Sequence, residues 1–147
     1  MQPYIEIIEA EDYFLTRLNS DPWDDASEAD KYKALCTATR LIDNLHFAGI
    51  KLISNQEREF PRYGQSEVPA DIKEATCELA LKLLDNVDPN YEVAALASSD
   101  YSFASVRSNS DRSFVLDHIR AGIPSVEAWN KLLKYLVDPA SIKIRRI

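Results

Sequence analysis

Two stretches decide the fold of this chain: SEADKYKALCTATRLIDNLHFAG at 27–49 and PADIKEATCELALKLLDN at 69–86. The first starts at Ser27-Glu28-Ala29-Asp30, a serine N-cap with an acid three residues on, close to a capping box. Tyr32, Leu35, Thr39, Ile42 and His46 then fall at i, i+3, i+7, i+10 and i+14, and Cys36 and Leu45 widen the stripe. That spacing predicts a helix with one apolar face. Gly49 is the expected stop, since glycine takes the left-handed conformation that ends helices. The second stretch opens on Pro69, whose fixed φ and missing N–H suit a first helical turn. Its stripe is Ile72, Ala75, Thr76, Leu79 and Leu83, with Cys77 and Leu84 beside it. Together they predict a helical hairpin from Ser27 to Leu84 with a structured connector between.

Working outward, the 147 residues suffice for one domain with a real core. Hydrophobic residues at 46% and charged residues at 28% are ordinary globular values. Three glycines, Gly49, Gly64 and Gly122, are too few for a turn-rich β-sandwich or a phosphate-cradling loop. The expected class is mainly α: a small helical bundle built on the long hairpin, with a minor β-hairpin and an extended C-terminal arm. Residues 1–139 form the expected domain and 140–147 the basic arm.

On the N-terminal side, Tyr4 to Ile8 is a short β-prone run, read as an extended lead-in. Glu9 to Leu18 predicts a first helix, ended by the turn residues Asn19-Ser20-Asp21-Pro22. Trp23 stands alone among acids and reads as a core anchor or a subunit contact. Between the two long helices, Ile50 to Val68 has weak periodicity, and a connector of that length is a functional loop or an assembly arm. Its centre is Gln56-Glu57-Arg58-Glu59-Phe60-Pro61-Arg62-Tyr63-Gly64. Pro61 favours an extended Phe60, which is expected to plug the hairpin. Arg62 faces a carboxylate of its own chain or a neighbouring molecule. On the C-terminal side, Phe103 to Leu116 reads as two β-prone runs around Ser108-Asn109-Ser110-Asp111. Ser125 then caps a last helix with the stripe Val126, Trp129, Leu132, Leu133 and Leu136, and Asp138-Pro139 stops it.

Charge narrows the function. The net charge is −7, and Lys143 to Ile147 carry three positive charges and no negative ones, so the first 142 residues sum to −10. So acidic a body repels a phosphate backbone, because nucleic-acid affinity comes largely from cations that displace counterions. Stacking on single strands would need aromatics among cations. The candidates are Arg58, Phe60, Arg62 and Tyr63, with Lys31, Tyr32 and Lys33, each diluted by nearby acids. His46 and His118 lack metal-site spacing, and His46 suits the end of a helix. Cys36 and Cys77 read as buried reduced thiols. The serines between Ser98 and Ser113 lack a nucleophile elbow. Among 24 acids, pairs such as Glu57 and Glu59 arise by chance. No catalytic residue, cofactor or metal site is expected, and neither a signal peptide nor a membrane span is read.

Three pieces carry a resemblance. They are Glu9-Ala10-Glu11-Asp12-Tyr13-Phe14, the helix through Ala34-Leu35 and Ala38-Thr39-Arg40-Leu41-Ile42-Asp43, and Gln56 to Arg62 followed by Val68-Pro69-Ala70-Asp71-Ile72-Lys73-Glu74-Ala75-Thr76-Cys77-Glu78-Leu79-Ala80. The succession resembles small tailed-bacteriophage proteins often labelled DnaT-like single-stranded DNA-binding, which are similar in layout to head-to-tail connectors. It covers residues 4 to 86 and departs at Glu6, where a Ser or Thr cap is expected.

As a connector, the resemblance implies a non-enzymatic virion protein of the neck, made in the host cytoplasm and away from membranes. It would form a ring, commonly a dodecamer, under the portal protein. That ring would extend a channel for double-stranded DNA that it does not bind specifically, and it would offer tail or nozzle proteins a platform. The alternative is a single-stranded DNA-binding replication accessory. Under the connector reading, Trp23, Phe60, Arg62 and Tyr63 are the subunit-contact candidates. Arg107, Asn109, Asp111 and Arg112 mark a tail-side or channel-side hairpin. Ile142, Lys143, Ile144, Arg145, Arg146 and Ile147 form the portal-docking arm.

Overall fold

The computed structural model describes residues 2–90 and 118–137. Within them lie α1 (Ile7–Leu15), α2 (Asp21–Asp24), α3 (Glu28–Asp43), α4 (Ala70–Leu84) and α5 (Val126–Leu132), the last running into a 3₁₀ turn (Leu133–Tyr135). The fold is mainly helical, as its sequence predicts. The expected β-hairpin and C-terminal arm lie outside the described residues.

Local chemistry accounts for most boundaries. The Ser27 hydroxyl accepts from the Asp30 amide and Ser125 accepts from Ala128, so both predicted serine caps form. Pro69 takes the N-cap of α4 in an extended conformation, one position outside its predicted place. Helix α3 ends at Asp43, six residues short of Gly49, because the chain bends at Asn44 to bring Phe47 into the core. The expected lead-in is also corrected: Ile7 and Ile8 already belong to α1, which ends at Leu15 rather than Leu18. The segment from Asp21 is a short helix and not only a turn, with Pro22 in its first turn.

The hub is α4. Residues Ala75 to Leu81 are buried without a break, so this helix is covered on every side and not on one stripe. Helices α1, α2, α3 and α5 all pack on it. Buried hydroxyls inside the bundle are satisfied by their own helices: Thr39 donates to the Leu35 carbonyl at 2.9 Å and Thr76 to that of Ile72 at 2.8 Å. Two aromatic groups close the ends. Trp23 is fully buried and stacks on Phe14 at 4.6 Å. Phe60 sits within edge contact of Phe47, Tyr135 and Tyr4 at 4.6, 5.5 and 6.0 Å.

Two antiparallel bridges order the connector, one to the bundle and one within the loop. Ala48 donates to the Tyr135 carbonyl at 2.8 Å and Val137 to that of His46 at 3.0 Å, which joins the chain after α5 to the chain after α3. Farther out, Leu52 donates to the Pro61 carbonyl and Tyr63 to that of Ile50, so Lys51 lies opposite Arg62.

Candidate assembly surface

The connector between α3 and α4 is a built loop. Arg62 is only 8% exposed. Its guanidinium donates to the carbonyl oxygens of Phe47 (3.2 Å), Ala48 (3.2 Å) and Gly49 (2.5 Å) and to the Glu59 carboxylate (3.1 Å). A planar fork with five N–H groups suits this multiple capping in a way that a lysine does not. Glu59 also pairs with Lys51 at 3.3 Å. Gln56 stitches the inner rim: its amide oxygen accepts from Ile53 N, and its NH₂ donates to the carbonyls of Arg58 and Pro61. Gly49 and Gly64 take positive φ at the two bends, and the Phe60–Pro61 peptide is cis.

A second lock fixes the loop's base. The Tyr4 hydroxyl donates to Asp43 and accepts from the Phe60 amide at 3.2 Å. Burial pushes the Asp43 carboxyl above its usual range, against the hydrogen bonds from Tyr4 and the Glu59 amide. Burial also raises the Tyr4 phenol, and Asp43 beside it adds to that shift. Arg58 lies over the Tyr4 ring at 5.6 Å.

What this framework holds out to solvent is apolar. Tyr63 is 76% exposed, Ile50 67%, Ile53 59% and Leu52 39%. Four large apolar side chains on a rigid tip are unusual on a surface with no partner. A second exposed stripe runs along α1 and just beyond it: Ile8, Leu15 and Leu18. Ile8 borders a groove of about 330 Å³ between the N-terminal segment, α1 and the start of α3, lined by Pro3, Glu6, Ile7, Glu28 and Tyr32.

Beneath that stripe, α1 is anchored by charge. Glu78 is 3% exposed and accepts from Arg17 Nη2 at 2.8 Å, from Arg17 Nε at 3.2 Å and from the Tyr13 hydroxyl. Burial pushes the Glu78 carboxyl up, but the bonds from Arg17 and Tyr13 outweigh it and leave it below its usual range. Glu11 is held low chiefly by Lys31, which also lies over the Trp23 ring at 5.1 Å.

Of the four predicted subunit contacts, Trp23, Phe60 and Arg62 turn inward. Trp23 anchors the core, Phe60 plugs the loop and Arg62 clamps it, so their side chains are spent within the subunit. Tyr63 alone of the four faces solvent. The same burial takes Phe60 and Arg62 out of the predicted single-strand stacking set. His46 lies in the exposed loop three residues past the end of α3, not at its terminus. Tyr32 and Val126, read as core-facing, are 46% and 41% exposed. Arg107, Asn109, Asp111 and Arg112, and the arm Ile142 to Ile147, lie outside the described residues. Among the described residues, no group of three or more His, Cys, Asp or Glu side chains is placed to hold a metal ion. No helix there is long and apolar enough to cross a membrane.

Residues 2–107 match the family described as "Putative DnaT-like ssDNA binding protein". The chain belongs to that family. No curated protein and no solved structure matches it. The matched span of this family member takes in α1 to α4 and the whole clamped loop. Sequence reasoning missed Ile50, Leu52 and Ile53 as surface residues. Their signal was the cluster Ile50, Leu52 and Ile53 around Lys51 in a stretch without helical periodicity.

Proposed function

We propose that this family member is a structural assembly protein, a head-to-tail connector that forms a ring beneath a phage portal and passes double-stranded DNA without gripping it. The observation that carries this reading is the clamped loop. A buried arginine and a stitched glutamine are spent on holding four apolar side chains out in water, which suits a surface that another protein covers. The charge supports it as well. Residues 2–90 hold eighteen acids against nine lysines and arginines, a lining suited to repelling DNA. The basic arm Ile142 to Ile147 is assigned to portal docking, by charge pairing and strand addition. On this reading the protein is not an enzyme, and it resides in the virion neck after assembly in the host cytoplasm.

The second reading is single-stranded DNA binding, and the family description favours it. Against it, three of the four cations in the predicted stacking set are already engaged: Arg58 on Tyr4, Lys31 on Trp23 and Glu11, and Arg62 on carbonyls. Titrating the protein with a fluorescent single-stranded oligonucleotide at physiological salt separates the two. The connector reading expects no saturable binding at micromolar protein. Tight binding that weakens steeply with salt would replace it by the second reading.

A further inference from the structure

Before α1 the chain runs across α3 as a strap, residues 2–6, and the connector loop is seated on it. Tyr4 and Ile5 are buried. The Tyr4 amide donates to Thr39 Oγ1 at 3.1 Å, which fixes the strap to α3. Three successive loop residues bear on Tyr4 or on the carboxylate it holds. The Arg58 guanidinium lies over the Tyr4 ring, the Glu59 amide donates to Asp43 at 3.4 Å, and the Phe60 amide donates to the Tyr4 hydroxyl at 3.2 Å. The hydroxyl itself donates to Asp43. We infer that residues 2–6 are a latch: strap and loop open and close as one unit on a bundle that stays folded.

The bonds set the bounds of that unit. With the strap away, the buried Phe60 amide and the half-buried Asp43 both lose a partner, so the loop's seat goes with it. The loop's remaining bonds, from Leu52 to Pro61, from Tyr63 to Ile50 and from Arg62 to residues 47–49, lie within the loop and its root. Helix α1 does not follow the strap, because Glu9 pairs with Lys73 at 3.0 Å and Arg17 with Glu78 at 2.8 Å, both on α4. Helix α4 keeps its cover from α3 and α5. Openings of this kind cost less than global unfolding. Ile50, Leu52, Ile53 and Tyr63 are thus presented only while the strap is seated, and a partner that draws the strap off withdraws them. The latch needs neither a ring nor a portal, so it stands apart from the connector reading.

Native-state hydrogen exchange on the whole chain tests the latch. Thr39→Val removes the strap's acceptor on α3, and Thr39 makes no hydrogen bond to the loop. The Leu52 and Tyr63 amides are expected to exchange about tenfold faster in this variant, the factor of one lost hydrogen bond to a buried group, and faster than Leu79 in α4. Thr39→Ser keeps the oxygen and should return both amides to their original rates. Tyr4→Phe takes the hydroxyl from Asp43 and Phe60 together; it should quicken the same two amides, and it serves if Thr39→Val does not fold. Unchanged exchange at Leu52 and Tyr63, or exchange there no faster than at Leu79, would overturn the latch.

Discussion

The Arg62 guanidinium holds the Gly49 carbonyl oxygen at 2.5 Å, thirteen residues back along the chain, and so joins the two sides of the α3–α4 connector. The same group serves Phe47 and Ala48, and no other described residue donates to these three carbonyls. Arg62 is thus a structural residue that sets the shape of a surface it does not itself reach.

Replacing it tests that role. Arg62→Ala takes the donor from the buried Phe47 carbonyl and the half-buried Ala48 and Gly49 carbonyls and leaves Glu59 with Lys51 alone, and a loss of about 2 kcal/mol in unfolding free energy is expected. Arg62→Lys should recover only part of this, since an ammonium cannot reproduce the fork. Urea unfolding of the three proteins measures it. An unchanged midpoint for Arg62→Ala would show that the clamp is dispensable.

Acid stability should follow Glu78. Its carboxyl is held below the ordinary value of 4.5 in the folded state, so the unfolded chain binds the extra proton first. The stabilisation is complete above about pH 4.5 and is lost as pH falls through the folded value. Asp43 acts in the opposite sense: burial raises its carboxyl, so its contribution is full below its unfolded value and declines as pH rises. Glu78→Gln should therefore lower stability at pH 7 and flatten its fall below pH 4.5. Asp43→Asn should cost less at pH 7 than Glu78→Gln. Denaturant midpoints between pH 3 and 8 show both effects.

How far the sequence could be read follows from where its signals lie. Caps and stripes are local, so α3, α4 and α5 and the serine caps were legible in it. That α4 is covered on all sides was not, because Cys77, Glu78 and Ala80 look like the flank of an amphipathic helix until Arg17 arrives from α1 to pair with Glu78. The ending of α3 at Asp43 was hidden too, since His46 continues the helical spacing while Phe47 is pulled out of register by Phe60. At the site, Tyr63 was legible as a contact candidate. Arg62 left two readings open, and the choice was made by carbonyls whose direction no pattern of side chains reveals.

The exposed tip gives the sharpest separation of assembly from folding. Tyr63→Asp and Ile53→Asp alter side chains that touch mainly water, so the melting curve should shift by less than about 0.5 kcal/mol in free energy. Portal-templated assembly should fall at least tenfold in either variant. Full assembly with an unchanged melt would remove the tip from the interface.

Deleting residues 141–147 should abolish recruitment to the portal while leaving the thermal melt unchanged. The deletion removes three cations from a chain of net charge −7 and takes nothing from the described core. Retained portal binding, measured by co-sedimentation, would put the docking function elsewhere.

The most direct measurement is the mass of the protein alone and in the presence of a cognate portal ring, by analytical ultracentrifugation at physiological salt. The connector account predicts a portal-dependent complex that carries a closed ring of this chain, with free protein small in its absence. Free protein whose mass never changes with portal, but which shifts onto single-stranded DNA, would contradict it.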